Sequence, residues 1–207
     1  MYAREHFPRL RVALMGYHPA VPPLLEALGA RPKPFASLPT FLGPEQSKRT
    51  TSAESVVRFL VPGNIHFDRR CYDRLHAVAR ELRGLPCRVE VLAFGACSDA
   101  QQSCPRYAAL ARAVAQDNPR VSLLRRNGSF ASLFDSARAA NFVLPLVEHC
   151  QEVAGEAVGA EHLQQYNTRK LSSAVAVALA FRKPIVGATQ LLAPYAAALH
   201  QTPLVYD

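Results

Sequence analysis

Short apolar runs recur along the second part of this chain, each followed by a stretch of helical periodicity. Val56 to Val61 reads VVRFLV and Cys87 to Phe94 reads CRVEVLAF. Val121 to Leu124, Phe142 to Val147 and Ile185 to Gly187 are shorter runs of the same kind, and Leu204 to Tyr206 closes the series. Each is apolar and too short for a core helix, the signature of a buried strand. Between them, Asp68 to Leu82 places apolar side chains at Tyr72, Leu75, Val78, Ala79 and Leu82, a helical spacing. Pro105 opens a helix that runs to Asp117, and Ser129 caps another that runs to Ala140. Leu191 to His200 is a further helix. The longest patterned stretch is YNTRKLSSAVAVALAFRKPIVGAT, Tyr166 to Thr189. Asn167 and Thr168 are natural N-caps, the middle is small and apolar, and Pro184 ends the helix before a strand at Ile185. With almost no polar face after Ser173, this helix is expected to be buried. Arg182 and Lys183 fall in its last turn, where cations suit the dipole.

Strand–helix alternation predicts an α/β fold: a Rossmann-like parallel sheet with helices on both faces and right-handed crossovers. The alternation starts near Val56. Before it, residues 1–55 hold one strand-like run, LRVALMG, one short helix, LLEALG, and a connector rich in proline. The expected organisation is therefore a segment at 1–55 and a Rossmann-like domain at 56–207.

Composition narrows the function classes. Of 207 residues, 49% are hydrophobic and 19% charged, which suits a packed domain and not a disordered chain. No apolar run reaches the roughly 18 residues that span a bilayer. The start, MYAREHFPRLR, lacks the apolar core of a signal peptide. Five cysteines, an odd number without C-x-x-C spacing, read as reduced thiols of an intracellular, cytoplasmic protein, although import into an organelle stays open. The net charge of +8 points to a polyanionic partner: nucleotide phosphates, nucleic acid or an acidic membrane surface.

In a parallel sheet the loops after the strands share one edge, and ligands bind there. Four loops qualify. PGNIHFDRR offers Gly63, Asn64, His66 and the pair Arg69 and Arg70, whose cations at a helix start ask for an anion. FGACSD offers Gly95, PLVEHC offers Glu148 and His149, and YNTRK opens the long helix. That helix start gathers Tyr166, Thr168, Lys170, Ser172 and Ser173, the makings of a phosphate site on free amides and a dipole. The same residues also read as an ordinary cap with solvated cations. The G-x-G-x-x-G fingerprint, a Walker A loop, a G-x-S-x-G elbow and a metal-ligand cluster are absent from the sequence.

Taken together, PGNIHFDRRCYDRL, FG, NFVLPLVE, YNTRKLSSAVAVALAFRKPIV and the final LVYD resemble the donor-binding, C-terminal half of GT-B glycosyltransferases, over Val56 to Asp207. The resemblance implies glycosyl transfer from a nucleotide-diphosphate sugar held in a cleft between two Rossmann-like halves. It implies that Arg69 or Arg70 and Lys170 neutralise the diphosphate. Gly63, Asn64 and Gly95 would let the backbone approach the nucleotide, and Thr168, Ser172 and Ser173 would bond phosphate or sugar. It implies no metal and no cofactor beyond the donor. Two departures stand out. The helix before Pro184, AVAVALAFRK, carries no carboxylate where retaining members place one. An acceptor-binding half is missing or reduced to Leu10 to Gly29, where His18 is the sole appealing base. A partner chain supplying that half, or a non-catalytic descendant serving as a binding or structural subunit of a larger, even ribonucleoprotein, assembly, follows as the alternative. A third possibility, another nucleotide-linked doubly wound enzyme, lacks the glycine fingerprint.

Overall fold

A computed structural model describes residues 55–99, 101–147, 172–195 and 204–206. Its elements in chain order are β1 (Val56–Pro62), α1 (Arg74–Glu81), β2 (Arg88–Phe94), α2 (Ser103–Asp117), β3 (Val121–Arg126), α3 (Phe130–Ala139), β4 (Phe142–Val143), α4 (Ser173–Phe181), β5 (Val186–Ala188), α5 (Thr189–Leu192) and β6 (Leu204–Tyr206). One sheet has the order β3-β2-β1-β4 and a second pairs β5 with β6. Every pairing is parallel. A parallel bridge from Val143 to Ile185, with Val143 N donating to Pro184 O at 2.9 Å, joins the two. The combined order is 3-2-1-4-5-6, the doubly wound Rossmann arrangement, and it reverses between β1 and β4. The α/β Rossmann-like fold expected from the sequence is the one observed.

Adjacent residues of the central strand serve opposite layers. Leu60 joins a core with Val143, Val175, Ala178 and Leu191, beneath α3 and α4. Val61 joins a core with Tyr72, Leu75, Val91, Tyr107 and Val114, beneath α1 and α2. This is the period-two alternation of a strand buried on both faces. α4 is buried at Ala174, Val175, Val177, Ala178 and Leu179, as its composition predicts.

Several boundaries differ from the sequence reading. α1 begins at Arg74, not Asp68, because residues 67–73 form turns held by the sheet edge. β4 pairs over two residues, not to Val147, since Pro145 lacks an amide and Leu146 has a left-handed backbone, φ 55°. α4 is capped by Ser172, whose Oγ accepts from Ala174 N at 3.3 Å. Asn167 and Thr168 lie outside the described residues. The helix stops at Arg182 (φ 49°), before Pro184. The Lys183 amide closes its own helix by donating to Ala178 O at 2.9 Å, but the side chain does not serve that helix. Its Nζ donates to Arg138 O (2.8 Å) and Ala140 O (2.7 Å), capping the end of α3, and burial lowers its pKa. α5 is one turn, followed by a 3-10 turn at Ala193–Tyr195, instead of a helix to His200; residues 196–200 lie outside the described set. The domain boundary near 55 also borders undescribed residues.

Tyr72 is the largest fully buried side chain among the described residues, and its hydroxyl has no hydrogen-bond partner among them. Burial raises its pKa to about 12, with the nearby Arg70 cation pulling the other way. Tyr107, edge-on to Tyr72 at 5.4 Å, donates its hydroxyl to Leu124 O at 3.0 Å. The two hydroxyls should respond in opposite ways to removal. In urea denaturation at pH 7, Tyr107→Phe loses about 1 kcal/mol, while Tyr72→Phe is neutral or stabilising, because it removes an unpaired polar atom. Burial holds this phenol neutral in the folded state while the unfolded chain ionises it near its ordinary 10.0, so stability is flat below pH 10 and falls as pH rises toward 12. Tyr72→Phe should therefore flatten the alkaline fall in stability. A steeper or unchanged fall contradicts the assignment.

Candidate functional site

The loop that follows β1 is the hub of the sheet's C-terminal edge. Gly63 N donates to Phe94 O (2.9 Å), Ile65 N to Ala96 O (2.8 Å) and Ser98 N to Ile65 O (3.0 Å). These bonds continue the β1–β2 pairing past the strand ends, with a parallel bridge between Ile65 and Cys97. On the other side Cys71 N donates to Leu146 O at 2.9 Å, drawing in the loop after β4. Ser173 Oγ, at the start of α4, donates to Pro62 O at 3.0 Å.

Arg70 ties these pieces together. Its side chain turns inward and the residue is 7% exposed. Nη1 donates to Pro145 O at 2.8 Å, and Nη2 to Pro62 O at 2.6 Å and Ser173 Oγ at 3.4 Å. One guanidinium thus links the ends of β1 and β4 and the N-terminus of α4, across the point where strand order reverses. The arginine fork suits this, because it presents several donors at fixed angles to separate acceptors. Leu146 stores backbone strain beside it, of the order of 1–3 kcal/mol.

The two glycines are required by this packing. Gly63 has φ 103°, and a Cβ there would lie 2.7 Å from Arg70 Nη2 and 2.8 Å from Ser173 Oγ. A Cβ on Gly95 would lie 2.5 Å from Gly63 O. Close backbone approach is thus present, and among the described residues it is loop against loop.

The sequence-predicted residues divide accordingly. Gly63, Arg70, Gly95, Ser172 and Ser173 come together at the β1/β4 edge. Ser172 is 1% exposed and acts as the helix cap. Asn64 and Ser173 are exposed at the same edge. Arg69 is exposed, its neighbour Arg70 having taken the inward place. His66 pairs with Asp68 at 3.6 Å. Glu148, Tyr166, Thr168 and Lys170 lie outside the described residues. Asn64 and Arg69 are exposed on the loop after β1, and Ser173 is exposed in the first turn of α4, whose N-terminus is the positive end of a helix dipole.

One expectation is overturned. The cysteines are not all reduced thiols: Cys97 and Cys104 form a disulfide, Cα atoms 5.6 Å apart, and Cys71 is also disulfide-bonded. Cys87 is a free thiol. The signal available was the placement of Cys97 and Cys104 on either side of one strand-to-helix loop, which an argument from spacing motifs overlooks. No group of residues suited to a metal ion occurs among the described residues. No helix among them is long and apolar enough to cross a membrane.

No family model matches the chain, and comparison with curated proteins returns no match. Among solved structures, the C-terminal domain of a glycosyl transferase group 1 family protein (LpcC) from Francisella tularensis is 13% identical, with 65% of this chain and 59% of that one covered and a TM-score of 0.41. The glycosyltransferase GlyE of Streptococcus pneumoniae is 14% identical, with coverage of 66% and 25% and a TM-score of 0.35. The lipopolysaccharide outer core galactosyltransferase WaaB is 13% identical, with coverage of 86% and 43% and a TM-score of 0.41. The chain thus spans 59%, 25% and 43% of these proteins' length. At such TM-scores the likenesses carry no argument, and the fold assignment rests on strand order.

The Arg70 contacts give a direct expectation. Arg70→Met keeps much of the apolar stem but leaves the Pro62 and Pro145 carbonyls without their donors, and should lower stability by about 3 kcal/mol in chemical denaturation. Arg69→Ala, on the exposed neighbour, should change it by less than about 0.5 kcal/mol. Equal effects at the two positions contradict the division of labour.

Proposed function

We propose that this chain is the donor-binding half of a GT-B glycosyltransferase, taking a nucleotide-diphosphate sugar at the C-terminal edge of its sheet. The observation that carries the reading is the convergence of the β1, β2 and β4 loops with the N-terminus of α4 at the strand-order reversal. Ligands of open α/β sheets bind at that position. The motif resemblance supplies the substrate class.

In this reading the diphosphate lies against the start of α4, with Ser173 as a hydroxyl partner and Arg69 and Lys170 as cations beside it. Arg70 is the fixed cation behind them, holding the loops in place. As the bond from the anomeric carbon to the diphosphate breaks, negative charge grows on the leaving group. The helix dipole and these cations stabilise it, without a metal and without reorganisation. The acceptor hydroxyl, its base and the second half of the cleft come from residues beyond this domain or from a partner chain.

A second reading has its own observation. Arg70, Gly63 and Gly95, three residues expected to face a nucleotide, are engaged in internal contacts. That supports a non-catalytic descendant in which the old edge serves as scaffold within a larger assembly, and the basic charge then favours RNA.

A thermal-shift series separates the two. Uridine, guanosine and adenosine diphosphates, and their sugar conjugates, should include one base that raises the melting midpoint, since only ligands of the folded state do so. The Arg69→Ala/Lys170→Ala variant should keep the unliganded midpoint and lose the shift. No shift with any nucleotide, together with RNA binding that weakens steeply with salt, favours the scaffold.

A further inference from the structure

The Cys97–Cys104 bond lies in the loop between β2 and α2, on the same edge of the sheet. Cys97 follows β2 by three residues and forms the bridge to Ile65. Cys104 is the second residue of α2, a helix of 15 residues. Both are partly exposed. Arg125, exposed at the end of β3, directs Nη1 at both sulfurs, at 3.2 Å from Cys97 Sγ and in contact with Cys104 Sγ. A cavity of about 450 Å³, lined by Cys104, Pro105, Tyr107, Leu123 and Arg125, opens beside it.

A disulfide sulfur is a weak acceptor and does not call for a guanidinium. A thiolate does. Cys104 also stands at the positive end of the α2 dipole, which stabilises a sulfur anion. The surroundings therefore favour the product of reduction at one particular sulfur.

We propose that Cys97 and Cys104 form a reversible dithiol–disulfide pair, serviced by a small thiol or dithiol reductant, whose state sets the order of the sheet edge. The reductant's thiolate attacks Cys97 Sγ and forms a mixed disulfide there. The Cys97–Cys104 bond breaks, and Cys104 leaves with the electron pair as a thiolate held by Arg125 and the helix terminus. A second reductant thiolate then attacks the reductant's sulfur in the mixed disulfide. Cys97 is released as a thiolate and takes a proton from water, and the reductant departs as a disulfide. Reoxidation by a small-molecule disulfide runs the sequence backwards. Arg125 is the group that makes Cys104 the better leaving sulfur.

The coupling to the edge is mechanical. Residues 95–99 are zipped to residues 63–66 through Ile65 N to Ala96 O, Ser98 N to Ile65 O and Ser98 Oγ to Ile65 O at 3.0 Å. The disulfide fixes the far end of that zipper to α2, with Ser98 Oγ and Ser103 Oγ 3.2 Å apart inside the closed loop. Opening the bond releases the covalent tie at Cys97, leaving hydrogen bonds such as Ser103 N to Asp99 O at 2.8 Å to hold the loop to the helix, and loosens residues 63–66 with it. This inference does not depend on the nucleotide-sugar reading, because none of its groups needs that ligand.

The test equilibrates the full chain in glutathione buffers of graded ratio, with peptide mapping after alkylation and hydrogen exchange on the same samples. The Cys97–Cys104 pair should interconvert reversibly within the range of cellular glutathione poise. Amide exchange at 63–66 and 95–99 should rise about tenfold on reduction, with β1 and α4 unchanged. The Cys97→Ser/Cys104→Ser variant should show the raised exchange without reductant. Arg125→Met should slow reduction by dithiothreitol about threefold, with circular dichroism unchanged. A pair that stays oxidised at every ratio, exchange at 63–66 that ignores the redox state, or an Arg125→Met rate equal to the parent's overturns the proposal.

Discussion

A buried guanidinium holds the C-terminal edge of this sheet together. Arg70 meets the ends of two parallel strands and the start of a helix that lies 103 residues further along the chain. Parallel strands end without a hairpin to join them, so the loops at the C-terminal edge need other ties. Here the ties converge on one loop. Remove the charge and Pro62 and Pro145 lose their donors, Leu146 loses the frame that holds its strained backbone, and Ser173 loses a partner. The cation also has a field. It opposes the desolvation of Tyr72, whose ring packs in the layer beneath.

The layers were legible in the chain because burial leaves a periodic trace. Strands β1 to β6 appear where short apolar runs predict them, and the parallel arrangement follows from the helices between them. Boundaries were less legible where tertiary bonds overrule local preference. Residues 68–73 have helical spacing yet form turns, because Arg70 and Cys71 are drawn to the β4 loop. Lys183 suits the end of its own helix by position, yet its long stem reaches the carbonyls of α3.

At the sheet edge, the sequence pointed to the loops that converge and could not divide the labour within them. Nothing in the string RR tells which arginine faces inward. Arg70 does because its phase places it under Pro62 and Pro145, and Arg69 then points to solvent. Gly63 and Gly95 were legible as places of close approach, while the thing approached, another loop, is a tertiary fact. The same holds for Cys97 and Cys104. They read as isolated thiols until the turn between β2 and α2 brings their Cα atoms to 5.6 Å. Their contact with Arg125 depends on β3 lying beside β2, which adjacency in sequence does not reveal.

On the proposed reading, ligand recognition belongs at the strand-order reversal, with Arg70 as the scaffold under it. The most direct measurement is an NMR titration of the isotopically labelled chain with the three nucleoside diphosphates, following backbone amides. Shifts concentrated at residues 63–64, 95–96 and 172–175, with the opposite edge of the sheet silent, are the predicted result. A folded chain in which those amides stay fixed while ligand is bound elsewhere, or is not bound at all, would contradict it.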